Sequence, residues 1–163
     1  MRILIFGRVG QLGSALAELL SAGHQLKFLD QPEIDLAQTD SISRHISRSG
    51  ADLVINAAAY TAVDKAQSES ELAQRINADA PAAMAKACHT LGVPFIHFST
   101  DYVFDGEAQE PYHEESRVAP RSVYGETKLA GERAVALETP RHVILRTAWL
   151  YSHVGHNFLK TML

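Results

Sequence analysis

A single cysteine, Cys88, stands in the 163-residue sequence, so no internal disulfide can form and a reducing compartment is favoured. No apolar run approaches the length of a membrane span. The first residues, Met1-Arg2-Ile3-Leu4-Ile5-Phe6, lead straight into a strand pattern rather than a secretory leader. A basic surplus is missing too. Fifteen Lys+Arg against 19 Asp+Glu give a net charge of -4, so no basic surplus exists to neutralise phosphates and nothing points to nucleic-acid binding. The hydrophobic share of 46% and charged share of 21% are those of an ordinary globular chain, without repeats or low-complexity tracts. A second domain would have too little chain for its own core, so residues 1–163 are expected to form one. These absences describe a cytoplasmic domain with neither a membrane nor nucleic acid as partner.

What is present is an alternation of short apolar runs with longer amphipathic ones. Strands are predicted at Arg2 to Phe6, Leu26 to Leu29, Leu53 to Ile55, Phe95 to Phe98 and His142 to Arg146. Helices are predicted at Gln11 to Ala22, from a cap at Asp40 through Ser49, from Glu69 to Leu91 with a break near Pro81, and from Val123 to Leu137. Strands without polar alternation, separated by helices, imply a parallel sheet covered on both faces. Right-handed crossovers then give an α/β, doubly wound, Rossmann-type fold, which binds ligands at the carboxyl ends of its strands. Asn157 to Leu163 read as the opening of an amphipathic helix with no stop signal, so the sequence is expected to be the front part of a longer one.

The residues just after the strands carry the chemistry. Gly7-Arg8-Val9-Gly10-Gln11-Leu12-Gly13 follows the first strand and opens a helix. Its first glycine permits a tight turn, the second lets backbone approach a pyrophosphate, and the third packs helix on strand. The helix N-terminus adds free N–H donors and the positive end of a dipole. Asp30 closes the second strand, where a carboxylate can accept hydrogen bonds from an adenosine ribose and repel a 2′-phosphate; Arg8 in the loop could attract one. The choice between NADH and NADPH therefore stays open. Asp35-Leu36 stand where adenine contact or an ordinary turn fits equally. The small residues of Asn56-Ala57-Ala58-Ala59-Tyr60-Thr61 suit a flat cofactor lying on backbone or simple helix–sheet packing.

Tyr124-Gly125-Glu126-Thr127-Lys128 opens the helix after the fourth strand, and the i, i+4 spacing puts Tyr124 and Lys128 on one face. A phenol titrates near pH ~10, so it exchanges protons poorly at neutral pH unless an ammonium stabilises its phenolate. Alone the pair also fits an amphipathic surface. Ser99-Thr100-Asp101-Tyr102, however, lies on the same carboxyl edge and offers a hydroxyl to a substrate oxygen as negative charge develops. Phosphate loop, strand-end hydroxyl and Tyr/Lys pair together point to carbonyl reduction by a nicotinamide hydride.

These residues resemble the extended short-chain dehydrogenase/reductase superfamily, and within it the dTDP-4-dehydrorhamnose reductase family. The resemblance runs the length of the sequence: Gly7 to Gly13, Asn56 to Ala66, Ser99-Thr100-Asp101-Tyr102-Val103-Phe104-Asp105-Gly106, and Tyr124 through Lys128-Leu129-Ala130-Gly131-Glu132. It implies Thr100, Tyr124 and Lys128 as the catalytic set, with Asp101 and Trp149 on a deoxysugar nucleotide. It implies NADPH or NADH along Gly7, Gly10, Gln11, Leu12, Gly13, Asp30, Asp35, Leu36, Ala59, Tyr60 and Thr61, with Tyr124 and Lys128 also touching the cofactor. The implied reaction is reduction of dTDP-4-dehydro-L-rhamnose to dTDP-L-rhamnose, for L-rhamnose in cell-surface polysaccharides such as lipopolysaccharide. Phe6 departs from the Thr that many superfamily members carry there. Members are nearly twice this length; their C-terminal half supplies most of the sugar-nucleotide pocket and any homodimer contact of the complete protein. Two other readings stand beside this one: a nucleotide-sugar epimerase or dehydratase, and a non-catalytic regulatory subunit similar to that of methionine adenosyltransferase.

Other features have plainer readings. His153 and His156 lack a partner set for a metal, so no metal site is expected. Cys88 reads as a small core residue, and the acidic run Glu107 to Glu115 as a solvated loop. Trp149 would otherwise be a packed core aromatic.

Overall fold

Among the described residues, strands β1 (Arg2–Phe6), β2 (Gln25–Leu29), β3 (Leu53–Asn56), β4 (Phe95–Thr100) and β5 (His142–Thr147) form one parallel sheet in the order β2-β1-β3-β4-β5. This is the arrangement of the computed structural model, which describes residues 1–155 and 157–163. The chain leaves β1 in one direction for β2 and then crosses back to β3, so the strand order reverses between β1 and β3. In doubly wound sheets that crevice receives the ligand. The register levels the carboxyl ends: Phe6 lies opposite Leu29 and Asn56, and Thr100 opposite Thr147.

Alternation along β1 explains the two layers. Ile3 and Ile5 turn to α1 (Gln11–Leu20), meeting Leu16 and Leu20, while Leu4 and Phe6 turn to the opposite core. That second core takes Ile42 and Ile46 of α2 (Ile42–Ser49), Met84 of α5 (Ala80–Leu91) and Val135 of α6 (Val123–Glu138). Each such buried aliphatic side chain contributes roughly 1.5–3 kcal/mol. Short helices α3 (Val63–Ala66), α4 (Ser70–Gln74) and α7 (Phe158–Met162) complete the chain.

The structure revises several expectations. Burial on both faces holds for β1 but not for the sheet edges, where β2 alternates and β5 leaves Val143 and Leu145 exposed. The first helix ends at Leu20, not Ala22, and the fourth begins at Val123 but runs one residue further, to Glu138. Asp40 caps nothing: it sits in a 3-10 turn, Thr39–Ser41, and the helix starts at Ile42. The interruption expected at Pro81 is instead a π turn at Arg75–Asp79. Pro81 itself lies in the first turn of α5, where its missing N–H costs nothing.

Candidate active site

The glycine loop is shaped by backbone contact. Gly7 has φ +90°, a conformation that favours glycine, and a Cβ there would stand 2.9 Å from the Ala58 nitrogen. At Gly13 a Cβ would fall 1.8 Å from the Gly7 carbonyl oxygen, so α1 and the loop touch backbone to backbone. Gly10 differs: among the described residues, no atom beyond its chain neighbours and its own helix backbone lies within 4 Å of its Cβ position. It is the N-cap of α1 and no side chain caps that helix, so the first N–H groups keep their donor capacity for an anion.

Asp30 fastens this loop. Its Oδ2 accepts from the Arg8 nitrogen at 2.8 Å and the Val9 nitrogen at 3.2 Å, and its Oδ1 from the Gln31 nitrogen at 3.0 Å. The Arg8 guanidinium lies over the Phe28 ring, 5.6 Å from its centroid.

Two adjoining hollows run along the carboxyl edge. The larger, about 510 Å³, extends from Gly10, Gln11 and Leu12 over Ala57 to Ala59 and Thr61, and ends at Tyr124 and Lys128. The smaller, about 180 Å³, adds Ile34, Asp35, Leu36 and Ile76 at the end of β2, and shares Gly7, Asp30, Ala58 and Ala59 with the first. An apolar-walled recess, a loop of backbone donors and a floor of alanines fit a dinucleotide in extended form.

At the far end the groups are buried and titratable. Lys128 is 2% exposed, and its Nζ donates to the Phe98 carbonyl at 2.6 Å. Burial pushes the ammonium down to about 8, against the upward pull of Glu132. Burial also raises the Tyr124 phenol, while a side-chain hydrogen bond with Thr100 draws it down and the Asp101 charge adds to the rise. The Thr100 hydroxyl donates to Asp101 Oδ1 at 3.0 Å and accepts from the Tyr102 nitrogen at 3.2 Å. The Tyr102 ring meets Tyr124 edge-on, centroids 5.5 Å apart. Thr100, Tyr124 and Lys128 are thus brought together.

Not every expected residue reaches the cleft. Gly13 lies behind the loop as a packing position. The Tyr60 hydroxyl donates to Glu69 at 2.6 Å, outside both linings, and that bond pushes the phenol up to about 12. Asp101 lines a third depression of about 540 Å³ with Phe104, Tyr112 and Arg146. Trp149 is not a core aromatic: it is 62% exposed, adopts φ 39°, and packs edge-on against Phe158 at 4.6 Å. A bulky residue at positive φ is strained, which marks a position worth attention.

Two supporting groups, Asn77 and His97, escaped the sequence reading, and Asn56 and Gln11 make contacts it did not foresee. Asn77, within the π turn, accepts from the Tyr60 nitrogen at 2.8 Å and donates to the Tyr60 carbonyl at 3.1 Å and the Thr127 hydroxyl at 3.2 Å. It ties the floor loop to the helix that carries Tyr124 and Lys128. That helix reaches the π turn because Gly131 has no Cβ; one would stand 2.1 Å from the Asn77 carbonyl oxygen. An asparagine in mid-helix, a poor helix former, was the available signal. Asn56 accepts from the Ala58 nitrogen, so its amide donates to His97 Nδ1 at 3.1 Å and leaves the proton on Nε2. His97 is fully buried, and burial beside Lys128 holds its pKa well below the usual imidazole range. Gln11 donates to the Leu150 carbonyl at 3.4 Å and accepts from Asn157 at 3.0 Å, anchoring the segment after β5 beside the cleft.

Among the described residues no cluster of three or more His, Cys, Asp or Glu could hold a metal ion; His156, paired with His153 in the sequence reading, lies outside them. No described helix is long and apolar enough to cross a membrane. Cys88 is buried, and burial pushes its thiol up to about 12, as suits an inert core residue.

Known proteins resemble this chain in sequence and fold. A dTDP-4-dehydrorhamnose reductase of Sinorhizobium fredii (strain NBRC 101917 / NGR234) is 47% identical over 163 residues, all of this chain and 55% of the relative. The crystal structure of a dTDP-4-dehydrorhamnose reductase from Clostridium acetobutylicum ATCC 824 superposes with a TM-score of 0.95 at 42% identity, covering 99% of this chain and 58% of that one. One from Bacillus anthracis str. Ames, solved in complex with NADP, gives 0.94 at 37% identity with the same coverage. The chain spans about half the length of these relatives. The family described as RmlD substrate binding domain matches residues 1–163, and with the glycine loop and the Tyr/Lys pair both in place, the chain belongs to that family.

Proposed function

We propose that residues 1–163 are the cofactor-binding and catalytic part of an NAD(P)H-dependent reductase that converts dTDP-4-dehydro-L-rhamnose to dTDP-L-rhamnose. The observation that carries this reading is the placement of Tyr124 and Lys128 at one end of a cleft whose other end is the glycine loop. The loop N–H groups and the N-terminus of α1 hold the pyrophosphate, and Asp35 and Leu36 flank the adenine. When bound, a reduced nicotinamide supplies a hydride to the carbonyl carbon of the sugar. Tyr124 gives its phenolic proton to the carbonyl oxygen, so the ketone becomes an alcohol. Burial keeps that phenol protonated at neutral pH, and the Lys128 ammonium offsets the charge left on it. Thr100 donates to the same oxygen as charge develops. Asp101 and Trp149 contact the deoxysugar nucleotide, whose pocket is completed by residues beyond these.

The same reading places the protein in the cytoplasm, in L-rhamnose synthesis for cell-surface polysaccharides including lipopolysaccharide, and as a homodimer when complete. The test is direct. A protein carrying this chain, supplied with NADPH and dTDP-4-dehydro-L-rhamnose, should consume the cofactor and yield dTDP-L-rhamnose by chromatography. Tight cofactor binding with no consumption of the sugar nucleotide would overturn the reductase reading.

A further inference from the structure

We propose that the Gln11 side chain is a positioning residue: it clasps the segment after β5 to the glycine loop and so places Trp149 for the sugar nucleotide. The identity of that ligand rests on the reductase reading; the clasp itself does not. At the first position of α1, beside the N-cap Gly10, a residue serves a pyrophosphate with its backbone N–H. Many side chains would be compatible with that role, which leaves the Gln11 amide unexplained. The amide is engaged at both ends. Its nitrogen donates to the Leu150 carbonyl at 3.4 Å, and its oxygen accepts from Asn157 Nδ2 at 3.0 Å, across 146 residues of sequence. Asn157 is buried; its Nδ2 also donates to the Ser152 carbonyl at 2.8 Å, and its Oδ1 caps α7 by accepting from the Lys160 nitrogen at 3.1 Å.

Gly155, at φ +74°, brings the segment close: a Cβ there would stand 3.0 Å from Gln11 Cγ. Leu150 and Gly155 line the larger hollow together with Gln11, so one side chain of the phosphate loop organises a second stretch of the cleft lining. Trp149 precedes Leu150, and its ring rests on Phe158, which follows Asn157. Each of the two aromatics is therefore one residue from a Gln11 contact. Trp149 also holds φ 39°, a strained backbone that persists only where the surroundings over-determine it. Among the described residues no strand or helix runs between β5 and α7, so side-chain bonds to backbone carbonyls fix the segment instead. Without the Gln11 amide the segment loses its tie to α1, and Trp149 loses its fixed place.

Trp149 is the sole tryptophan, so its emission reports on this segment alone. The experiment compares the parent chain with Gln11→Ala, Gln11→Met, Asn157→Ala and the Gln11→Ala/Asn157→Ala pair, each checked for fold by circular dichroism. Methionine keeps the length of glutamine without its hydrogen bonds. Steady-state anisotropy of the Trp149 emission should fall in Gln11→Met as far as in Gln11→Ala. The double variant should fall no further than Asn157→Ala, as two ends of one interaction do. In a protein carrying this chain, Gln11→Ala should raise the KM for dTDP-4-dehydro-L-rhamnose about five- to tenfold, the scale of one or two lost hydrogen bonds. The loss should fall on that KM rather than on kcat, and NADPH affinity should change less, because the backbone donors of the loop remain. Parent-like anisotropy in Gln11→Ala, or in Gln11→Met alone, would overturn the inference. So would a loss of NADPH affinity with the sugar-nucleotide KM unchanged, which would assign the amide to the cofactor. A parent that consumes no sugar nucleotide overturns the reductase reading, and the anisotropies then decide the clasp by themselves.

Discussion

At the β1–α1 end the cleft wall is backbone and close-packed, with Gly7 and Gly13 in contact and the Asp30 carboxylate and Ser14 hydroxyl tying the turn together. At the β4–α6 end the wall is side chains: Lys128 and His97 are buried, Tyr124 is partly so, and all three are shifted from their ordinary proton affinities. One end presents fixed backbone N–H groups; the other gathers titratable side chains. The contrast predicts that the first end fails through sterics and the second through pH and charge.

The largest expected effect is at the side-chain end. In a protein carrying this chain, Tyr124→Phe should lower kcat by about 10²- to 10⁴-fold, the worth of a positioned proton donor. Cofactor affinity, measured by fluorescence, should stay within twofold, because the ring remains. At the backbone end two alanines separate packing from binding. Gly13→Ala puts a Cβ 1.8 Å from the Gly7 oxygen and should cost about 3 kcal/mol in urea unfolding. Gly10→Ala meets no packed neighbour among the described residues and should change stability by less than about 0.5 kcal/mol.

Charge sharpens the contrast. Lys128 falls from its ordinary 10.5 to about 8 on burial. Below pH 8 it is charged in both folded and unfolded chains, and above 10.5 neutral in both. Between those limits the unfolded chain holds the extra proton, so stability should rise with pH across that window by up to roughly 3 kcal/mol. Urea midpoints from pH 8 to 10 would measure this, and Lys128→Met should flatten the rise. A smaller effect is expected where the two ends are joined: Asn77→Ala leaves the part-buried Tyr60 backbone groups without these partners and should cost about 2 kcal/mol.

The same contrast explains what the sequence made legible. The apolar runs of β1, β3 and β4, the glycine loop and the Tyr/Lys spacing are local patterns, and the structure places each where its pattern implied. The π turn is not local. Arg75 to Asp79 carry no breaker, and the turn is met by Gly131 of a distant helix. Asn77 matters through partners 17 and 50 residues away, and Asp30 through loop donors 21 and 22 residues away, pairings that no spacing rule reveals. Asp40 misled for the complementary reason: its local cap signal is real, but the chain enters α2 through a 3-10 turn.

The most direct test of the account is a titration of the 163-residue chain with NADPH, followed by nicotinamide fluorescence, beside a Gly10→Val variant whose fold is checked by circular dichroism. The account predicts saturable one-to-one binding by the parent and its loss in the variant with the fold intact. Equal binding by both, or none by a folded parent, would contradict it.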